Sequence, residues 1–440
     1  MAAAVVMPDS YMPDSDMEDA GHEVTSSLFE RAVAGSMLAA IVFINGADFR
    51  GNLGDDFQVH WQIYLRLVLT GLAGLFGFLN IFPRTLNIFF TLPGLLLTGW
   101  ITWYGCTLPL SIHTSYSTAA WVSLLCVVLF VPSAMRILGG SGTLKSIGFG
   151  LTIFLVGSWI AYLVFPEIGV FNEQVTQTES FSRMGGLGHP NELGFYSAYT
   201  IIVFVVLGVR RRLSWLIVWP ILVLGGLTLL TCYSRTAMLV CAAGLPFAVQ
   251  PQLRSRGNFF SLLGLVGIVL VVSFILIGIG NLDWMIEDIL LRLTKSGSSR
   301  ELSTASGRTE IWDYALQLIA EKPLFGHGYA TARFVMEDYS YHAHNIVLNA
   351  ALYGGLPSGL LVVLMCVYLV AKIVTQPSPE IDGWVICLLV GGVVDGLISA
   401  ASPAASTTIW LVVLFWHQLD LKFETRSPFM YEQWIASDPT

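Results

Sequence analysis

Three arginines and a histidine stand out as candidate chemistry. Arg183 sits in Phe181-Ser-Arg-Met-Gly-Gly-Leu-Gly-His189-Pro-Asn191-Glu-Leu-Gly194, and Arg235 in Cys232-Tyr-Ser-Arg-Thr-Ala237. Arg308 sits in Ser306-Gly-Arg-Thr-Glu-Ile-Trp312, and His344 in Tyr341-His342-Ala-His-Asn345. A guanidinium is a planar fork of donors that matches phosphate oxygens. A neutral imidazole beside an acceptor hydroxyl can orient it and take its proton. Together they describe a site that holds an anionic leaving group and activates a hydroxyl.

Each motif also has a plainer reading. The glycines after Arg183 allow close backbone approach, to a ligand or simply within a tight turn. Pro190 restricts His189 to extended backbone, and Asn191 is then expected to cap the next helix. Arg235 interrupts two apolar stretches, where burial of a guanidinium is costly and points to function or to a lipid headgroup. Arg308 lies at a helix entrance, where the macrodipole disfavours a cation unless an anion joins it. His342 and His344 form a His-X-His pair, but no third ligand motif accompanies them, so no metal site is read. Cys106, Cys126, Cys232, Cys241, Cys366 and Cys387 have no metal-type spacing and read as small packing residues.

The elements that must position these residues are membrane helices. Of the 440 residues, 55% are hydrophobic and 12% charged, against about 25% charged in an ordinary soluble domain. The net charge of −8 offers no footprint for nucleic acid. A spanning helix needs about 20 apolar residues. About a dozen stretches qualify, near 28–46, 63–82, 86–104, 118–137, 147–166, 192–208, 213–231, 233–250, 259–280, 346–372, 383–401 and 404–420. The fold class is therefore all-α and polytopic. The divisions are a disordered cytoplasmic tail over 1–27, nine spans over 28–280, a large external loop over 281–345, three spans over 346–420 and a cytoplasmic tail over 421–440.

Basic residues in short loops are retained on the cytoplasmic side. Arg84, Arg136, Lys145, Arg210, Arg211, Arg212, Arg254, Arg256 and Lys372 fall on one side if both termini are cytoplasmic, which leaves all four candidate residues outside. The external loop carries helical patterns of its own. From Thr309 to Glu321 the apolar residues Ile311, Trp312, Ala315, Leu316 and Ile319 fit one face, with Ser306 as a cap and Pro323 as a stop. Asp283 to Leu293 has similar spacing, and the small polar run Ser296 to Ser306 fits either a lid or a passive linker.

In the order and placement of these motifs the sequence resembles the O-antigen ligase and polymerase (Wzy-type) superfamily of bacterial membrane glycosyltransferases. The resemblance rests on Arg183 to Gly194, Ser234-Arg235, Gly307-Arg308 with Ile311-Trp312, Pro323 to Gly328, and His344-Asn345 followed by Gly355-Leu-Pro. Tyr353 stands where an acidic residue is common in that family, and Ser358 where its motif usually closes on glycine. The resemblance implies a GT-C-like fold in the bacterial inner membrane. It also implies metal-independent, inverting transfer from an undecaprenyl-pyrophosphate-linked glycan to a hydroxyl acceptor, either lipid A core or growing polysaccharide, with no cofactor. His344 is the expected catalytic group, Arg235, Arg308 and Arg183 the pyrophosphate ligands, and His189, Asn191, His342 and Asn345 supporting residues. A polymerase shares this donor chemistry. A polysaccharide flippase is the reading from another class, for which Asp395 is the one candidate buried acid, but no internal repeat supports it.

Overall fold

The computed structural model describes residues 26–47, 61–174, 180–249, 308–336, 340–394 and 405–419, and these are mostly helical. The expected ninth span at 259–280, the helix at 283–293, the polar run at 296–306 and Asp395 lie outside them.

Helix α1 (Leu28–Gly46) opens on a reciprocal cap, the Glu30 amide donating to Ser27 Oγ at 3.1 Å and the Ser27 amide to the Glu30 carboxylate at 2.9 Å. It is followed by α2 (Trp61–Arg84), a 3-10 turn at Leu86–Phe90, α3 (Leu92–Thr107) and α4 (Thr114–Val164). One helical turn, α5 (Pro166–Gly169), leads into an antiparallel hairpin of β1 (Val170–Gln174) and β2 (Ser180–Met184). Then come α6 (Pro190–Val209), α7 (Trp215–Thr231) and α8 (Arg235–Val249). After the undescribed segment follow α9 (Arg308–Glu321), the short α10 (Ala332–Val335), α11 (Ile346–Thr375), α12 (Asp382–Val394) and α13 (Ala405–Phe415). Among the described residues, α1, α2, α4, α6 and α11 are long and apolar enough to cross a membrane, and α7, α8 and α12 are shorter apolar helices. Large apolar side chains such as Leu72, Leu79, Phe149 and Ile160 face outward, as a lipid-facing surface requires.

At about 1.5 Å per residue a straight α4 of 51 residues would run about 77 Å, more than twice the roughly 30 Å hydrocarbon core. It does not run straight. Gly139, at φ 66° and ψ 176°, breaks it into two limbs, in the place where the sequence predicts separate spans joined by a turn. Contacts set the directions. Arg66, early in α2, donates to the carbonyl of Ile44, late in α1, so those two helices are antiparallel. The first limb of α4 runs with α2, because Gly74 packs on Cys126 and Gly77 on Phe130. The second runs with α1, because Gly35 packs on Ser146 and Gly150 on Ala39.

The same reasoning orders the remaining bundle. Helix α6 runs against the second limb, Tyr196 meeting Phe154 and Gly148 meeting Phe204. Helix α12 runs against α6 and α8, with Gly383 beside Ile202 and Ala248 and Gly391 beside Phe195. Asn345, at the start of α11, donates to the Val393 carbonyl near the end of α12 at 3.1 Å. One end of the bundle, here the upper end, thus collects the start of α6, the α7–α8 turn, the start of α11 and the close of α12. The Gly139 reversal, the α6–α7 turn and the end of α11 lie at the lower end.

Candidate functional site

The hairpin before α6 carries Arg183 on β2, directly paired in register with Phe171 on β1. Its guanidinium carbon lies 5.6 Å from the Phe171 ring centroid, and only 5% of the residue is exposed. The other face of the Phe171 environment is His189, with ring centroids 4.9 Å apart. The following glycines serve the turn. The amides of Gly185 and Gly186 both donate to the Gly169 carbonyl at 2.9 Å, and Gly186, at φ 63°, lies so close to Ser158 that a side chain would collide with it. Of the two readings of this motif, the geometry favours the tight turn seated against α4.

The expected cap shifts by two residues. His189, not Asn191, is the N-cap of α6, its Nδ1 accepting from the Asn191 amide at 3.2 Å. Pro190 occupies the first helical position, which its fixed φ suits, and the cap therefore falls on the residue before it. Asn191 is already inside the helix.

Arg235 is half-buried and opens α8 after a turn in which Tyr233 takes a left-handed φ of 49°. This turn meets the hairpin. Thr231 donates to the Met184 sulfur at 3.2 Å, and Gly194 of α6 packs on Cys232, Ser234 and Ala237. The segments bearing Arg183 and Arg235, 52 positions apart in sequence, are thereby brought into one corner of the upper end.

His344 lies at the same end, in the turn that starts α11. Its backbone is left-handed at φ 48°, its amide donates to His342 Nδ1 at 3.1 Å, and the two imidazole centroids are 4.0 Å apart. An Nδ1 that accepts from an amide carries no proton, so His342 is held as the Nε2-protonated neutral tautomer. Asn345 caps α11, its Oδ1 accepting from Val347 at 2.9 Å and Leu348 at 3.1 Å. Buried Asn349 accepts from the Ala343 amide at 2.8 Å. Five hydrogen bonds, with the Asn345 link to Val393, thus fix the turn and tie it to α12.

Arg308 is the first residue of α9; its side chain lies outside the described residues. The helix has the expected extent but a different inward face. Ala315, Leu318 and Ile319 are buried, whereas Leu316 is 51% exposed. The true face follows the spacing Ile311, Ala315, Leu318, Ile319, a narrower stripe than the one drawn from hydropathy.

Beyond Pro323 the chain inserts into a break in α11. Gly354 and Gly355 leave helical geometry, and the freed carbonyls of Leu352 and Tyr353 accept from the amides of His327 at 2.8 Å and Gly328 at 3.0 Å. In return the Leu356 amide donates to the Pro323 carbonyl at 2.7 Å. His327 is buried with Nε2 2.9 Å from the Leu318 carbonyl. Tyr104, Tyr329 and Tyr353 form a buried ring cluster beneath, with centroids 4.7 to 6.5 Å apart. Burial pushes the Tyr329 hydroxyl well above its ordinary value, so it stays a neutral phenol. Tyr353 therefore belongs to an aromatic core, and Ser358 accepts from the Trp100 indole at 3.0 Å.

One further guanidinium at this end escaped the sequence reading. Arg333 of α10 lies 5.8 Å from the Tyr116 ring centroid, next to Phe334 and His113. The signal was a lone cation between the Gly326-His-Gly328 turn and His342. Among the described residues no three His, Cys, Asp or Glu side chains gather as a metal set.

No curated protein matches the chain. Residues 220–364, running from α7 into α11, match the model of a family described as O-antigen ligase. The matched stretch contains Arg235, Arg308 and His344 and leaves Arg183 outside. Over the part that holds these three residues the chain is thus similar to the O-antigen ligase family, in agreement with the resemblance read from its motifs.

Proposed function

We propose that the protein is a membrane glycosyltransferase that moves a glycan from an undecaprenyl-pyrophosphate carrier to a hydroxyl acceptor, with inversion and without a divalent metal. The observation that carries this reading is the gathering of the Arg183 hairpin, the Arg235 turn and the His342–His344 turn at one end of an apolar helical bundle. Arg235 and Arg308 are each the first residue of a helix, where a bound anion offsets the unfavourable field. In this reading they hold the donor pyrophosphate and stabilise the charge that grows on it as the anomeric C–O bond breaks. Arg183 adds to that field. The acceptor oxygen attacks the anomeric carbon from the opposite face, its proton passes to His344, and the lipid pyrophosphate leaves.

An apolar groove of about 390 Å³ supports a lipid-borne donor. It starts at Ile346, two residues after His344, and continues along Val363, Val367 and Val370 of α11, a surface suited to a hydrocarbon chain. The upper end is proposed to face the periplasm, with both termini in the cytoplasm of a bacterial cell. Arg136 and Lys145 flank the Gly139 break of α4, and Lys372 lies in the last turn of α11 at the same lower end, in keeping with a cytoplasmic face.

Reconstitution with a lipid-pyrophosphate glycan in EDTA tests the reading. Wild type should transfer sugar to a hydroxyl acceptor, and His344→Ala should lose at least about a hundredfold in rate while inserting and melting normally. Full activity in His344→Ala removes the base role, and silencing by EDTA removes the metal-free mechanism. Offering lipid A core or a second lipid-linked repeat as acceptor separates ligase from polymerase.

A further inference from the structure

Arg333 takes no part in the transfer as derived so far, yet its surroundings are those of a ligand-binding cation. The residue is half-buried, and its Nε is sealed from solvent without a hydrogen-bond acceptor. Among the described residues no carboxylate pairs with it. Arg66, at the same end, instead bonds the carbonyls of Ile44 and Ala47. What Arg333 does have is a ring to lie on. Its guanidinium carbon is 5.8 Å from the Tyr116 centroid, and Phe334 meets the same ring edge-on at 5.3 Å while stacking at 4.1 Å on exposed His113. A ring face attracts a cation, but it does not replace the oxygen acceptors that a desolvated guanidinium needs. A side chain placed there only to pack would do so better without a charge. The neighbouring sequence supplies no counter-charge either, since no Asp or Glu occurs from Trp61 to Phe165 or from Lys322 to Met336.

The position of Arg333 says which anion it meets. Helix α10 is pinned to α9 by Tyr314, which donates to the Val335 carbonyl at 3.3 Å. It is joined to the histidine turn by Ser340, whose amide donates to the Met336 carbonyl at 2.8 Å and whose Oγ accepts from the His342 amide at 3.4 Å. Arg183 and Arg235 stand on the α6–α8 side of that turn, and Arg333 stands on the α3–α4 side. We propose that Arg333 binds a phosphate carried by the acceptor. The assignment rests on the transfer proposed above, in which the nucleophile arrives on the face opposite the leaving pyrophosphate. A guanidinium fork presents two parallel N–H donors to two phosphate oxygens, and the Tyr116 ring holds its plane from behind. The acceptor class is thereby narrowed to a lipid-borne glycan with a phosphate near the accepting hydroxyl, either a phosphate ester on lipid A core or the pyrophosphate of a second lipid-linked repeat.

The test measures binding and transfer separately, on the full chain in detergent. The probes are two matched pairs: lipid A core and the same core stripped of its phosphates, and a lipid-pyrophosphate repeat and the same repeat joined to its lipid by an uncharged ether. Bound molecules are counted by native mass spectrometry without donor. In one pair the phosphate-bearing member should bind at least about tenfold more tightly than its stripped counterpart, and that pair identifies the source of the phosphate. Arg333→Gln should abolish the difference, and Arg333→Lys, which keeps the charge but not the fork, should retain part of it. With donor added, Arg333→Gln should raise the KM for the preferred acceptor about tenfold and leave kcat and the donor KM near wild type. A purely structural role would lower the melting temperature and kcat and affect phosphorylated and stripped acceptors alike. Equal binding of both members of both pairs by wild type overturns the inference. So does a change confined to the donor KM in Arg333→Gln, which makes Arg333 a donor ligand. A phosphate preference that depends on Arg333, with no transfer by wild type, leaves this subsite standing and removes the transferase reading instead.

Discussion

At the residue scale, two positions depart from the pattern that the resemblance to O-antigen ligases leads one to expect, and the structure gives each a packing role. Tyr353 completes a buried cluster with Tyr104 and Tyr329, where an acid would meet two rings. Ser358 takes the Trp100 indole N–H inside the bundle. Ser358→Gly, the residue that the resemblance leads one to expect, should therefore destabilise this protein. It leaves a buried donor without its acceptor, a loss of about 1–3 kcal/mol, readable as a lower melting temperature in detergent. An unchanged melt would mean that Trp100 finds another acceptor. The candidate residues themselves were legible in the sequence because cations and imidazoles are rare in an apolar chain. Their local roles were not. Nothing in Gly-His-Pro-Asn distinguishes a cap at His189 from one at Asn191 until the start of the helix is known.

At the element scale, hydropathy located most helices and, with separate spans at 118–137 and 147–166, the Gly139 break of α4 as well. A run of apolar residues reads the same whether straight or broken, so the interruption of α11 and its inserted loop emerge only from tertiary contacts. In α9 the pattern admitted Leu316 to the inward face, whereas packing chose Leu318. The β1–β2 hairpin falls between the spans expected at 147–166 and 192–208, where hydropathy predicts no element because its strands are only five residues each. The α11 break makes a sharp prediction. Gly355 has φ 73°, and a Cβ there would overlap the Leu324 carbonyl. Gly355→Ala must therefore move the loop that satisfies the Leu352 and Tyr353 carbonyls, and it should cost about 2 kcal/mol or more of stability. Because the same loop leads through α10 toward His342, activity should fall further than the melt alone accounts for. A variant with wild-type stability and rate would show that the break tolerates a side chain.

At the scale of the whole molecule, the described arginines of the two ends differ in depth. The upper-end arginines are drawn inward: Arg183 is almost wholly buried, Arg235 is half-buried, and Arg66 bonds the carbonyls of Ile44 and Ala47. At the lower end Arg211 is exposed. A membrane reads such an asymmetry as an orientation, since exposed cations resist translocation whereas those folded against carbonyls and rings present little charge to the lipid surface. The two ends should therefore open to opposite compartments. Single cysteines at Tyr341, beside the histidine turn, and at Arg211, in the α6–α7 turn, test this in a background where exposed Cys106 is serine. In intact cells a membrane-impermeant maleimide should label the Tyr341→Cys protein at once and the Arg211→Cys protein only after the membrane is opened. Equal labelling of both in intact cells would put the two turns on one side, and the sorting of cations by depth would then have no topological meaning.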